Sequence, residues 1–277
     1  MSAILRASML ALIALVLAGC GGGGSSVGDG GPPQPAAQVL RDSIASTHAA
    51  HTYPYYVRVP ADYATSTKAY PVIYSMDAEN RFAGLSQVLQ QRSTQAILVA
   101  VDATGLGRRW GDFTWPGAEA YFRFLTRELI PRIDSQYRTD PRQRMLTGHS
   151  LSGEFVVFAM LLDPPDHRFF SSIFASDPSL WATTPAESFA PTLPIATALE
   201  QRIHDAGRPW PISIVLAGDF KDREGNGTRA RSYYDFLVSR SYEQLRIRHV
   251  GYTLGHLAMD VPAFHDALDF VDPRPAP

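Results

Sequence analysis

The chain has 277 residues, a formal net charge of −2 and an ordinary 45% share of apolar side chains, enough for one substantial domain and a short extra segment. With no basic stripe to neutralise phosphates, a nucleic-acid partner is not expected. Its one cysteine, Cys20, leaves no intramolecular disulfide and no cysteine-based metal scheme.

Residues 1–20 carry Arg6 as their only charge, continue through the apolar run from Met9 to Leu17 and end on Ala18-Gly19-Cys20. The run is too short to span a bilayer and is followed by small residues, as in a secretory signal peptide. The ending Leu17-Ala18-Gly19-Cys20 resembles a bacterial lipobox, so Cys20 is expected to be diacylated and to hold the protein on a membrane. Gly21 in place of Asp resembles the sorting pattern of Gram-negative outer-membrane lipoproteins. Residues 21–37 are nearly all Gly, Ser, Pro, Ala and Gln. They bury too little apolar surface to offset their ordering entropy and read as a tether. A single domain is expected over 38–277.

Within it, apolar β-type runs alternate with helical patterns. Strands are expected at Tyr55–Val59, Val72–Met76, Ala96–Val101, Arg144–Thr147, Ser172–Ala175, Ile212–Ala217 and Leu245–Val250. Helices are expected at Gly117–Tyr137, Leu151–Leu162, Thr228–Arg240 and Ala263–Val271. Strands apolar on both faces, alternating with helices, predict an α/β fold with a mostly parallel, doubly wound sheet. In such sheets the functional groups gather beyond the C-terminal ends of the strands.

One strand end carries Gly148-His149-Ser150-Leu151-Ser152-Gly153. A serine on a sharp strand-to-helix turn exposes its hydroxyl and puts the next N–H, that of Leu151, where an oxyanion forms. The structural alternative is a serine that caps the helix. The turn demands small residues two places either side of Ser150. Gly148 meets this, and Ser152, where glycine is usual, is expected to add a slight steric cost. His149 is expected to pack away from the hydroxyl.

A serine nucleophile needs a general base. Of the downstream histidines, His249 falls in a strand, His265 in a helix, His204 at a helix end and His167 in a Pro-rich loop. His256 lies between the last strand and last helix, after Gly255, where the base of such a fold belongs. The acid is expected in the loop after Ile212–Ala217, with Asp222 favoured over Asp219 and Glu224. A dyad without an acid is also open. The loop after Val72–Met76 is expected to give a second oxyanion N–H, from Ala78 or Glu79. The Gly-rich segment 102–116 carries Arg109, Trp110 and Asp112, either as a substrate loop or with Arg109–Asp112 as a structural ion pair. Gly105-x-Gly107 is too short for a dinucleotide fingerprint.

Taken with Pro71–Asp77, the Arg109-x-x-Asp112-Phe113-Thr114 run, Glu128–Pro131 and Ser176–Trp181, the domain resembles the enterochelin esterase-like and esterase D-like branch of the α/β-hydrolases. That resemblance implies the α/β-hydrolase fold and carboxylic-ester hydrolysis through an acyl-enzyme on Ser150, with a small-molecule ester as partner and neither metal nor organic cofactor. Two residues depart from it: Ser152, and Asp177, which stands where relatives run from serine directly into Pro-Ser-x-Trp. An acyltransferase on the same residues and a non-catalytic ligand-binding lipoprotein are the alternatives.

Overall fold

The computed structural model describes residues 38–103, 108–181, 192–221 and 225–271. The expected signal segment and tether, 1–37, lie outside them.

Eight strands form one sheet: β1 (Val39–Ser46), β2 (His51–Arg58), β3 (Tyr70–Met76), β4 (Ile97–Val101), β5 (Thr139–His149), β6 (Ser172–Ser176), β7 (Ile212–Asp219) and β8 (Leu245–Tyr252). Their order is β1-β2-β4-β3-β5-β6-β7-β8. The β2 strand pairs antiparallel with β1 and β4, whereas β3 to β8 run parallel. This is the expected α/β-hydrolase architecture. Every residue of β4 and β6 is buried, as their unbroken apolar runs require of strands covered on both faces. The edge strand β1 is exposed along most of its length, so no apolar run announces it in the sequence.

The helices are α1 (Ala78–Gln91), α2 (Arg109–Phe113), α3 (Gly117–Phe124), α4 (Ile130–Gln136), α5 (Leu151–Leu162), α6 (Thr192–Asp205), α7 (Asn226–Ser239) and α8 (Asp260–Val271). Alternating strand residues divide the core. Ile73, Leu98, Met145, Phe174 and Val215 pack with α1 and α8, while Tyr74, Val99, Leu146, Ile173 and Ile214 pack with the other helices. The α5 helix has no polar stripe; all but its last residue are buried, which fixes it centrally. The single helix expected over Gly117–Tyr137 is interrupted by a π-helical stretch at Leu125–Leu129. Pro131 lacks the N–H that would bond the Arg127 carbonyl, so the regular ladder cannot run through. Among the described residues no helix is long and apolar enough to cross a membrane.

Candidate active site

The ends of β3, β5, β6, β7 and β8 converge at the C-terminal edge of the sheet. At the end of β5 the chain reverses sharply into α5, and Ser150 takes φ 61°, ψ −121°. Only glycine fits two places before it, because a Cβ on Gly148 would lie 2.2 Å from the Ser152 carbonyl oxygen. The segment after β6 pins this elbow: Ser150 N–H donates to Ser176 O (3.0 Å) and Ser179 N–H to Ser150 O (3.1 Å). The Ser150 hydroxyl lies 3.5 Å from Ser179 Oγ, its hydrogen-bond partner among the described residues. Bonds between a nucleophile and its base are often loose until substrate is bound.

His256 stands in the turn after β8, with its side chain 40% exposed. Its Nδ1 donates to Asp177 Oδ2 at 2.5 Å. Asp177 follows β6, has a left-handed backbone (φ 40°) and an almost fully buried carboxylate. Its Oδ1 accepts the Asp219 N–H (2.9 Å), and the Asp219 carboxylate in turn accepts the Gly255 N–H (3.0 Å). Gly255, at φ 96°, needs the freedom of glycine to present His256. Asp219 therefore serves the histidine loop and not the imidazole. Asp222 and Glu224 lie outside the described residues. The carboxylate that does meet His256 comes from one strand earlier than the sequence reading placed it. The one signal for it was Asp177's intrusion before Pro178.

Beneath His256 lies His149, its ring centroid 4.4 Å away and its Nδ1 3.1 Å from Ser176 Oγ. Burial, with Arg81 and His256 adding to it against the opposing pull of Asp260, lowers the His149 pKa to about 4. The ring is thus a neutral neighbour for His256. Arg81, also buried, holds Asp260 through two bonds (2.8 and 3.0 Å) and reaches Ser75 and Thr147 at 3.0 Å. Burial pushes the Asp260 carboxyl up, but Arg81 outweighs it and holds the group below its ordinary value. This pair joins α1 to α8 behind the site.

The first N–H groups of α1 and α5 have no partner within their own helices. Those of Ala78 and Glu79 start α1, and that of Leu151 starts α5. Asp77, before Ala78, is left-handed (φ 59°, ψ 51°). Arg109 clamps its carboxylate with two bonds of 2.8 Å, and the Ser152 hydroxyl donates to it at 2.6 Å. Arg109 is thus paired with Asp77 and not with Asp112. Asp112 is buried against Arg108 (2.7 Å) and the Tyr53 hydroxyl (2.8 Å), because it sits one helical turn after Arg108 on α2. Neither charge of the expected substrate loop is thereby left for a ligand. Trp110 is 40% exposed and stacks on Trp181, with ring centroids 5.7 Å apart.

A family profile described as "Putative esterase" matches residues 46–253. The chain is 28% identical over 255 residues to "Ferri-bacillibactin esterase BesA" of Bacillus subtilis (strain 168), covering 78% of this chain and 83% of that protein. Two solved structures share the fold. The BES protein from Bacillus cereus has TM-score 0.69 at 21% identity, covering 84% of this chain and 94% of that one. An IroE-like serine hydrolase from Shewanella oneidensis has TM-score 0.67 at 23% identity, covering 84% and 79%.

Proposed function

The chain belongs to this esterase family, and on that premise we propose that it is a serine ester hydrolase with Ser150 as nucleophile, His256 as general base and Asp177 as the carboxylate behind the imidazole. The observation that carries the reading is a strained, turn-borne Ser150 at the end of β5 and, after β8 at the same edge of the sheet, a His256 whose Nδ1 is held by buried Asp177.

With Nδ1 donating to Asp177, Nε2 is left to accept the Ser150 proton. The hydroxyl oxygen attacks the ester carbonyl, and the carbonyl oxygen becomes an anion facing Leu151 N–H and one of Ala78 or Glu79 N–H. Such donors are worth about 10²–10³ in rate each. Collapse breaks the ester C–O bond and His256 returns the proton to the leaving alcohol. Water then repeats the sequence on the acyl-enzyme, with His256 again as base. Asp177 stabilises the imidazolium formed in both halves.

Ser150→Ala should abolish turnover of p-nitrophenyl butyrate while the circular dichroism spectrum is retained; undiminished turnover defeats the assignment. A panel of short-chain, feruloyl and siderophore esters, run with and without alcohol acceptors, separates hydrolysis from acyl transfer and ranks substrates. The name of the Bacillus subtilis relative supports testing siderophore esters first. The lipobox residues Leu17–Cys20 support a protein tethered by lipid on Cys20 to the cell envelope, in an outer membrane of Gram-negative type. Labelled palmitate should enter the wild type and not Cys20→Ser; equal labelling of both removes the anchor.

A further inference from the structure

Ser152, the residue that departs from the small glycine usual at its place, is fully buried at the second position of α5. A hydroxyl has one hydrogen to give. The shorter of its acceptor contacts, 2.6 Å, is to Asp77 Oδ2, against 3.0 Å to His149 O. The His149 carbonyl is supplied instead by Arg109 Nη2 at 3.1 Å. While donating to Asp77, Ser152 Oγ also accepts the His149 N–H at 2.9 Å. One hydroxyl thereby bridges the two segments that carry the oxyanion donors. On one side is the elbow, with His149, Ser150 and Leu151. On the other is Asp77, the left-handed residue directly before the Ala78 and Glu79 N–H groups that start α1.

Both segments hold a non-glycine residue at positive φ, Ser150 at 61° and Asp77 at 59°. Such conformations persist only where neighbours over-determine them. Arg109 does so for Asp77 from the α2 side. Arg109 Nη2 also donates to the His149 carbonyl of the elbow, and Ser152 adds a direct bond from the elbow to Asp77 that is charge-assisted and short. Neither glycine nor alanine at 152 could make it.

We propose that Ser152 is a positioning residue for the oxyanion hole, setting the spacing between the Leu151 N–H and the N–H groups of Ala78 and Glu79 by anchoring Asp77 to the elbow. The inference rests on Ser150 being the nucleophile. The hole binds charge that exists only in the transition state, so loss of the anchor acts on kcat and leaves substrate binding alone.

The test compares wild type, Ser152→Ala, Ser152→Gly, Asp77→Asn and the Asp77→Asn/Ser152→Ala double variant, with Ser150→Ala as control. Readouts are kcat and KM on a p-nitrophenyl ester, and affinity for an alkylboronic acid, whose tetrahedral adduct mimics the oxyanion intermediate. In Ser152→Ala and Ser152→Gly, kcat should fall about 10–100-fold with KM within about twofold, and boronate affinity should fall in step. In the Asp77→Asn background the further loss from Ser152→Ala should shrink to about twofold or less. Unchanged kcat and boronate affinity, whatever happens to Tm, overturns the inference, as does an undiminished Ser152 effect in the Asp77→Asn background. Should Ser152→Ala not fold, Ser152→Gly gives the same reading without a side chain to accommodate. An active Ser150→Ala defeats the nucleophile itself; an inactive Ser150→Ala beside a fully active Ser152→Ala defeats only the anchor.

Discussion

The two ends of the parallel sheet differ in kind. At the N-terminal ends of β3 to β7 lies a cavity of about 530 Å³, floored by Val72, Ile73, Ala96, Met145 and Leu268 and edged by hydroxyl and amide side chains. The charged side chain on its wall, Arg142, is already committed to Asp140. The C-terminal ends hold Asp77, Ser150 and Asp177, all non-glycine at positive φ, together with buried Arg81, Asp260, His149 and Glu154. Ser93, by the cavity, also has positive φ (52°), but in an exposed turn. Volume marks where side chains fail to meet. Convergent polar groups held in costly conformations, at about 1–3 kcal/mol apiece, mark where chemistry is arranged.

The contrast breaks most decisively at Asp177. Asp177→Asn should lower kcat by about 10²–10⁴-fold, because the imidazole loses both its orientation and its counter-charge. Asp219→Asn, one bond further from the ring, should cost less. If steady-state kinetics show Asp219→Asn to be the worse of the two, the acid has been misassigned. At the other end, Ser213→Leu, reaching into the cavity, should leave kcat/KM within about twofold. A large loss there would mean that the ends are coupled.

A smaller effect, on stability, sharpens the same comparison. Glu154 lies one turn after Ser150 on α5, accepts a hydrogen bond from Thr192 (2.7 Å) and has its second oxygen buried without a partner among the described residues. Burial raises its pKa to about 8 from an ordinary 4.5, with the Thr192 bond opposing. As pH climbs between those values the unfolded chain gives up this proton and the folded one keeps it. The group therefore takes stability away with rising pH, at up to about 1.4 kcal/mol per pH unit. Glu154→Gln should have the higher Tm at about pH 8, and its advantage should shrink towards about pH 5. Parallel Tm curves for the two proteins would show that Glu154 is ionised in the fold. His149 works in the opposite sense. Held neutral down to about pH 4, it contributes stability that is lost as pH falls below the ordinary imidazole range towards that value.

The interior of the sheet was legible because β-branched apolar runs allow little else, and β4, β6 and α5 lie within a residue or so of where the sequence puts them. The β1 strand, α1 and α6 were not read, since their outward faces are polar and tertiary contact completes them. At the site, the elbow and the histidine loop could be read from chain order alone. The partner of His256 could not. Strands β6 and β7 are neighbours, so carboxylates leaving either can reach one imidazole, and spacing along the chain does not say which does. Ser152 and Asp177 looked in sequence like erosions of a family pattern. In space each is a hydrogen-bonding partner of a site loop.

The ion pair of Arg81 with Asp260 links residues 179 apart in sequence. It ties α1, which begins at the oxyanion loop, to α8, which begins just beyond His256. Closing so long a loop is entropically late, and local helices form well before it. A nascent chain whose last helix is still inside the ribosome has Ser150 but neither His256 beside it nor Asp260 against Arg81. On the roles proposed for Ser150 and His256, activity should appear during refolding only once the two ends of the domain have met, so its time course should report completion of the fold.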